Sequence, residues 1–187
     1  EQEAQVVLNE TVTPETVVVN SDASLVISGT GAIAGDATTV NKGGAGTFTL
    51  NTLNTYKGAT VLHEGIFELN TLKDGGVASA IGASVEYAQN WIFGGGIYRY
   101  TGASTSTNRS AKLTRTSGID IASPSAVVTM NGVVEGASYS SDFVIGGQGQ
   151  LKVGTTAFFG YKGATVLRGG TLSLSSPDIS KNGIGSS

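Results

Sequence analysis

The aromatic side chains that could stack on a sugar ring lie close together in one stretch of the sequence. Trp91, Tyr98 and Tyr100 fall within ten residues. In an extended strand, side chains two residues apart point to the same face, so Tyr98 and Tyr100 share a face. Exposed on one side, these rings would form a platform for the apolar face of a glycan. The alternative is structural, with Trp91 and Phe93 in the core and the two tyrosines in an outward ladder.

Residues suited to acid–base or metal chemistry are sparse. The chain has one histidine, His63, and no cysteine, so neither a disulfide nor a zinc site of the His/Cys type is expected. Cleavage of a polysaccharide needs paired carboxyl groups, and the acidic side chains here are scattered. Asp120, which follows Arg115 closely in the sequence, comes nearest to such a site. We predict no catalytic residue, no metal ligand and no cofactor, although Asp side chains and carbonyl oxygens could still bind calcium. A polysaccharide-degrading enzyme is the alternative.

The composition limits the classes of partner. Charged residues make up 13% of the chain, about half the usual share, and the net charge is −3. A nucleic-acid surface needs a basic stripe, which a chain of this charge does not supply, so no nucleic-acid partner is expected. No run approaches the roughly 18 to 20 apolar residues of a membrane helix. The segment is therefore not expected to span a membrane.

Short runs of apolar and β-branched residues occur along most of the chain, separated by Gly, Asn, Asp or Ser. Examples are Thr16–Val19, Ser24–Ile27, Thr47–Leu50, Ala59–Leu62, Gly65–Leu69, Gly96–Tyr100, Gly118–Ile121, Ala126–Met130, Gln150–Val153 and Gly170–Leu174. Many of these runs alternate apolar with polar residues, which indicates strands. Strands this short, joined by tight turns, fit either a β-sandwich or a coil of stacked strands.

An internal repeat favours the coil of strands. Tyr56–Leu62 recurs with identical residues as Tyr161–Leu167. The similarity extends on both sides, which gives repeat copies at about residues 24–70 and 125–175, with a strand-rich spacer at 71–124. Units that recur in this way are typical of a solenoid, in which each turn buries its apolar face against its neighbours.

The predicted fold is therefore all-β, a single-stranded right-handed parallel β-helix. At roughly 20 residues a rung, the chain would hold about nine rungs. We expect one domain over residues 1–187, with Tyr56 and Tyr161 on equivalent corners about five rungs apart. His63 matches Arg168 in the second copy, so this position is expected to be a solvated corner rather than a catalytic base.

The repeat also predicts which side chains face the core. One set should point inward as apolar ladders: Phe48, Leu50, Phe67 and Leu69, with their counterparts Leu151, Val153, Leu172 and Leu174. A second set should point to water: Thr47, Thr49, Glu68, Lys152 and Ser173.

The first copy resembles the autotransporter-associated β-strand repeat. That repeat has the pattern K-G-x-G-T-L-T-L, followed by N-T-Y-x-G-x-T-x-V-x-x-G-x-L-x-L. The matching stretches are Lys42–Leu50, Asn54–Val61 and Glu64–Leu69. The second copy is similar over Gly147–Leu174, although Phe159–Gly160 stand where the family pattern has Asn-Thr.

The spacer is similar to the same family. Ala80–Gly82, Gly95–Gly102 and Asn108–Arg109 resemble a spacer that reads A-L-G, then G-G-x-L-x-Y-x-G, then x-R. With both copies, the resemblance covers roughly residues 24–175.

The resemblance implies a parallel β-helix within a large secreted or surface protein of Gram-negative-type bacteria, outside the cell or associated with the outer membrane. The family pattern consists of structural residues and contains no catalytic set. We therefore expect a structural segment, a stalk or adhesin-like passenger, with a glycan or another host or cell-surface component as partner. The alternative is a carbohydrate-binding module that uses Trp91, Tyr98 and Tyr100. Further repeats of the same protein are expected to flank the segment.

Overall fold

The computed structural model describes residues 3–137, 140–157 and 159–175, and over these ranges the chain is a parallel β-solenoid of about seven turns. The 19 described strands form three sheets along the solenoid. Sheet 1 contains β1 (Ala4–Val7), β3 (Leu25–Ser28), β5 (Thr47–Leu50), β7 (Ile66–Leu69), β9 (Ile97–Tyr100), β12 (Ser117–Ile121), β15 (Phe143–Gly147) and β18 (Thr165–Leu167). Sheet 2 contains β2 (Thr16–Asn20), β4 (Thr39–Gly43), β6 (Thr60–Leu62), β8 (Trp91–Phe93), β11 (Ala111–Leu113), β14 (Val134–Gly136) and β17 (Phe159–Gly160). Sheet 3 contains β10 (Thr105–Thr107), β13 (Val127–Met130), β16 (Gln150–Val153) and β19 (Thr171–Leu174).

The register of sheet 1 shows that the turns differ in length. Phe48 pairs with Phe67 across the shortest turn, whereas Phe67 pairs with Tyr98 across the longest. The other turns fall between these extremes. The predicted count of nine rungs is too high, because most turns place more residues in their strands and corners than the sequence estimate allowed. Stacked at about 4.8 Å, seven turns make the described rod roughly 34 Å long.

Aromatic and aliphatic side chains fill the interior. Phe48, Phe67 and Tyr98 stack along sheet 1, with ring centroids 5.0 and 5.4 Å apart. Phe93 of sheet 2 packs across the interior on Tyr98, with ring centroids 4.7 Å apart. The predicted ladders are confirmed by the burial of Phe48, Leu50, Phe67, Leu69, Leu151 and Val153. Leu172 and Leu174 of β19 are half-buried and pack against this core.

The outward set is less exposed than the alternation predicted. Lys152 is exposed and Glu68 is half-buried, but Thr49 is only 8% exposed. Thr49 lies between Val26 and Glu68 of the adjacent strands, and their side chains flank it on the outer face. A position on the outside of a stacked sheet can therefore still be largely covered.

The two identical heptapeptides lie on different sheets. In the first copy Thr60–Leu62 is β6 of sheet 2, whereas in the second copy Thr165–Leu167 is β18 of sheet 1. Their local structure repeats, since the hydroxyls of Tyr56 and Tyr161 hydrogen-bond with the Oγ1 atoms of Thr60 and Thr165. The corners that they occupy differ, so the prediction of equivalent corners five rungs apart is wrong.

The displacement between the copies follows from the turn lengths. Four turns along sheet 1 lead from Phe48 to Ile145, and the fifth leads to Leu167. The two heptapeptides are separated by more residues than the four turns from Phe48 to Ile145 contain, and by fewer than the five turns from Phe48 to Leu167 contain. The second copy is therefore displaced by four turns and one further sheet.

The longest turn carries an excursion over residues 70–90. The N–H of Gly76 donates to the carbonyl of Ser84 at 2.9 Å, and Asn54 forms an isolated antiparallel bridge with Ser79. A single 3-10 turn, Ala88–Asn90, leads into β8. In the described part of the chain, no helix has the length and apolar character needed to cross a membrane.

Candidate functional site

The aromatic stretch lies in the core. Trp91 begins β8, Tyr98 and Tyr100 belong to β9, and their exposed fractions are 1%, 0% and 3%. The outward residues of the same strands are Ile92, Ile97 and Arg99. The expected glycan platform on Trp91, Tyr98 and Tyr100 is not formed, because the pleat turns all three rings inward. The outward tyrosine ladder is not formed for the same reason.

The two tyrosine hydroxyls in this stretch bond to backbone carbonyls. Tyr98 Oη donates to the Ile92 carbonyl at 3.1 Å, and Tyr100 Oη donates to the Ala103 carbonyl at 2.7 Å. Burial raises the pKa of Tyr98 well above its ordinary value and also raises the pKa of Tyr100. Both phenols therefore act as neutral structural donors.

A buried lysine braces the corner after β4. Lys42 is fully buried, and its Nζ donates to the carbonyls of Gly43 and Gly44 at 2.6 Å and of Glu64 at 3.3 Å. Burial lowers the pKa of Lys42, while the charges of Glu64 and Asp22 act in the opposite direction. Since an ammonium has three donors, this side chain places all of them on backbone and ties two successive turns together.

A buried asparagine forms the next internal corner. Asn54 Oδ1 accepts hydrogen bonds from the Ile33 N–H at 2.9 Å and from Thr52 Oγ1 at 2.8 Å. Asn54 Nδ2 donates to the carbonyls of Thr52 and Ala80, both at 3.1 Å. Ile33, Asn54 and Ala80 belong to three successive turns. One amide therefore uses all of its hydrogen-bonding capacity to join them.

A buried arginine holds the excursion over residues 70–90. Arg109 is 1% exposed, and its Nε donates to the Lys73 carbonyl at 2.9 Å. Nη1 donates to the carbonyl and Oγ of Ser84 at 3.0 and 2.9 Å, while Nη2 donates to the carbonyls of Gly82 and Val77 at 2.9 and 3.3 Å. All five N–H donors of the guanidinium therefore end on the excursion.

The roles of Lys42, Asn54 and Arg109 were not predicted, because in the sequence these residues are only positions of a family pattern. The available signal was chemical. In a chain with few charges, Lys42 precedes two glycines, a context in which a long polar side chain can reach neighbouring carbonyls. Which carbonyls it meets depends on the stacking of turns, and the sequence does not specify that stacking residue by residue.

The outward charges form a row on sheet 1. Glu68, Arg99 and Asp120 occupy matching positions on β7, β9 and β12, and each carboxylate lies 3.9 Å from a guanidinium nitrogen of Arg99. Arg115 lines a groove at a corner and is not paired with Asp120 in the described ion pairs. The three side chains are half-buried, and surface ion pairs as long as 3.9 Å contribute little to stability. No group of three or more His, Asp or Glu side chains in the described ranges could hold a metal ion.

An open groove lies at the corner between sheets 2 and 1. Its volume is about 520 Å³. The groove is lined by Val18, Asn20, Asn41, Gly43, Gly44, His63, Glu64 and Arg115. His63 is exposed there, as expected for a solvated corner. The groove brings the imidazole and carboxylate of one turn together with the guanidinium of another, a grouping that the sequence did not predict.

Comparison with known proteins gives an informative relative. No family model and no solved structure matches the chain. The chain is 33% identical over 148 residues to the adhesin BmaC autotransporter of Brucella suis biovar 1 (strain 1330). The similar region covers 75% of this chain but only 4% of that protein, so the chain spans a small part of the relative's length.

The relative and the fold agree with each other. An autotransporter adhesin contains a region similar to this chain, and the chain folds as a parallel β-solenoid. The resemblance to autotransporter passenger repeats is therefore confirmed.

Proposed function

We propose that this segment is a structural part of the passenger of a bacterial autotransporter, exposed at the cell surface or secreted, where it serves as a stalk or as an adhesin-like surface. The observation that carries the proposal is the use of the buried polar side chains. Lys42, Asn54 and Arg109 each direct at least one hydrogen bond to the backbone of a neighbouring turn. The polar positions of the repeat thus serve the continuity of the rod.

The adhesin relative supports a non-enzymatic role at the surface or outside the cell. A rod of stacked turns can place a binding region at a distance from the membrane, or present its own side as a binding surface. Host or cell-surface molecules, glycans among them, are the partners that either role would serve.

The test uses the whole protein in the bacterium that produces it. One variant lacks this segment, and a second carries an equal number of turns from an unrelated β-solenoid in its place. Loss of adhesion on deletion with recovery on replacement supports a stalk, whereas loss in both variants supports an adhesive surface. Unchanged adhesion in both would overturn the proposal, as would release of sugar from a polysaccharide by the isolated chain.

A further inference from the structure

The groove at the corner between sheets 2 and 1 has the dimensions of a ligand site. It extends along the rod from Asn20 at the end of β2, across Gly43 at the end of β4, to His63 after β6 and Arg115 after β11. Its volume of about 520 Å³ lies within the range of small-molecule pockets, roughly 300 to 1,000 Å³.

Glycines keep the floor of this groove open. A Cβ added at Gly43 would lie 3.1 Å from Asn20 Oδ1, so a side chain there would begin to fill the space. Gly44 has φ +71°, a conformation that other residues rarely adopt. Beneath the floor, Lys42 holds the carbonyls of both glycines from the inside. The floor is therefore fixed before any ligand arrives, which reduces the ordering cost of binding.

The lining combines donors and acceptors. The side chains of Asn20 and Arg115 can donate hydrogen bonds, the Glu64 carboxylate can accept them, and the His63 imidazole can do either. Asn41 Nδ2 already donates to the Oγ1 atoms of Thr16 and Thr39, so Asn41 offers its Oδ1 as an acceptor. A phosphate would select donors alone, and a metal ion would select acceptors alone. Hydroxyl groups both donate and accept, so a ligand rich in hydroxyls matches a mixed lining.

The charges around the groove balance. Lys42 and Arg115 supply two positive charges. Glu64 and Asp22 supply two negative ones, and Asp22 accepts a hydrogen bond from the N–H of Ala45 beside the floor at 2.9 Å. A groove without net charge does not favour an ionic ligand. Val18, 66% exposed, adds an apolar wall of the kind that a C–H face of a sugar ring can contact.

We propose that this groove is a binding site for a neutral saccharide of one or two sugar units, recognised through its hydroxyl groups by Asn41, Glu64 and Arg115. The site is distinct from the buried stretch at Trp91, Tyr98 and Tyr100. It rests on the proposed adhesin-like role and deepens it by giving it a ligand class. Binding is nevertheless a property of this chain, so it can be tested separately from adhesion.

The single histidine provides a reporter for this test. The imidazole proton signals of His63 are followed by NMR in the isolated chain during titration with lactose, cellobiose and N,N′-diacetylchitobiose, and in parallel with 3′-sialyllactose as the acidic arm. We expect at least one neutral disaccharide to shift these signals in a saturable manner, with Kd in the range of about 0.1 to 10 mM.

Two variants examine the floor and the lining. Gly43→Ala and Arg115→Ala should each weaken binding by about tenfold or more, the equivalent of one hydrogen bond to a charged group or a partly filled site. The control is Arg168→Ala. Arg168 occupies the position of the second copy that matches His63 and lies outside the lining of the groove, so this variant should bind the disaccharide as the unchanged chain does. Far-ultraviolet circular dichroism confirms that each variant is folded.

Three results would overturn the proposal. These are no saturable shift with any neutral disaccharide, a saturable shift with the acidic ligand alone, or equal binding by the unchanged chain and by the folded Gly43→Ala and Arg115→Ala variants. If saccharide binding holds while deletion of the segment leaves adhesion unchanged, the site stands and the adhesin-like role fails. If no saccharide binds while deletion of the segment abolishes adhesion, the binding site is rejected and the adhesin-like role stands.

Discussion

The ring of Tyr56 lies directly against Gly82, which belongs to the next turn of the solenoid. A Cβ at position 82 would lie within 2.8 Å of two ring carbons of Tyr56. Gly82 also has φ +73°, a conformation that strains any residue with a side chain. The tyrosine of one turn and the glycine of the next therefore form a matched pair that joins the Asn54–Val61 stretch to Ala80–Gly82.

Replacing this glycine separates its two roles. Gly82→Ala should destabilise the fold by more than about 2 kcal/mol, since it combines backbone strain with a clash against the Tyr56 ring. Gly76 has a similar φ of +82° but no atom within 4 Å of an added Cβ, so Gly76→Ala should show the strain alone, about 1 to 2 kcal/mol. Urea unfolding of both variants gives the comparison. Equal losses would contradict the packing role of Gly82.

The excursion over residues 70–90 should depend on Arg109. Arg109→Ala removes the five hydrogen bonds that the buried guanidinium makes to the excursion and should lower the free energy of unfolding by more than about 3 kcal/mol. Hydrogen exchange of the Gly76 and Gly82 amides, both hydrogen-bonded within the excursion, should become faster. Arg99→Ala, in the outward row of sheet 1 where the ion pairs are long, should cost less than about 1 kcal/mol. Unchanged hydrogen exchange in the Arg109→Ala variant would show that the excursion keeps its structure without the hydrogen bonds of Arg109.

The aromatic stack should dominate the core. Phe67 is fully buried between Phe48 and Tyr98. Phe67→Ala should therefore cost about 3 to 5 kcal/mol, because it leaves a cavity that neighbouring strands fill only in part. Lys152→Ala, on an exposed outward position, should change stability by less than about 0.5 kcal/mol. Chemical denaturation measures both, and a small loss for Phe67→Ala would place that ring outside the core.

Stability should fall steeply in alkaline solution. Burial raises the pKa of Tyr161 to about 12, so between roughly pH 10 and 12 the unfolded chain loses a phenol proton that the folded chain keeps. The folded state then binds more protons, and the free energy of unfolding decreases with pH by about 1.4 kcal/mol per unit for this residue. Buried Tyr56 and Tyr98 act in the same direction. The lowered pKa of Lys42 acts in the opposite direction below about pH 10.5.

A tyrosine variant isolates this contribution. Tyr161→Phe should reduce the slope of unfolding free energy against pH by about 1.4 kcal/mol per unit between roughly pH 10 and 12. The effects of Lys42, Tyr56 and Tyr98 are common to both proteins and cancel in the comparison. Urea unfolding at several pH values measures the slope, and parallel curves would contradict a buried Tyr161 phenol.

The displacement between the copies can be tested by cross-linking, because the chain has no cysteine of its own. Val166 lies beside Val144 on sheet 1. Cysteines at these two positions should form a disulfide readily, since neighbouring strands lie about 4.8 Å apart. A pair at Glu135 and Val166 should not, because Glu135 is on sheet 2. Efficient cross-linking of the Glu135–Val166 pair alone would show that both heptapeptides lie on sheet 2, as a repeat of whole turns would require.

The parallel solenoid could be predicted from the internal repeat. The inward positions could be predicted because period-two alternation sets the face of a strand without reference to its neighbours. Phe67 and Leu69 are buried for this reason. The same rule places Tyr98 and Tyr100 beside them, since Tyr98 lies in register with Phe67. The glycan platform is not formed because the phase of the strand, rather than the chemistry of the rings, determines their direction.

The number of turns and the groove could not be obtained in this way. Turn length depends on how many residues each corner contains, and the long turn between Phe67 and Tyr98 has no marker in the alternation. The groove collects His63 and Arg115 from different turns, so its composition depends on these lengths. Local pattern determines which way a side chain points, whereas corner length determines which other side chains it meets.

The second copy of the heptapeptide is displaced by one sheet, so two identical sequences present their side chains on different sides of the solenoid. Val61 and Val166 occur in identical heptapeptides and both point outward. They belong to different sheets, so they face different sides of the rod. The number of residues in the corners thus determines the sheet to which a strand belongs, whatever the residues of the strand are. A duplicated stretch can redirect an unchanged set of surface residues towards a new side, and a small change in the length of a corner is enough to alter where it points.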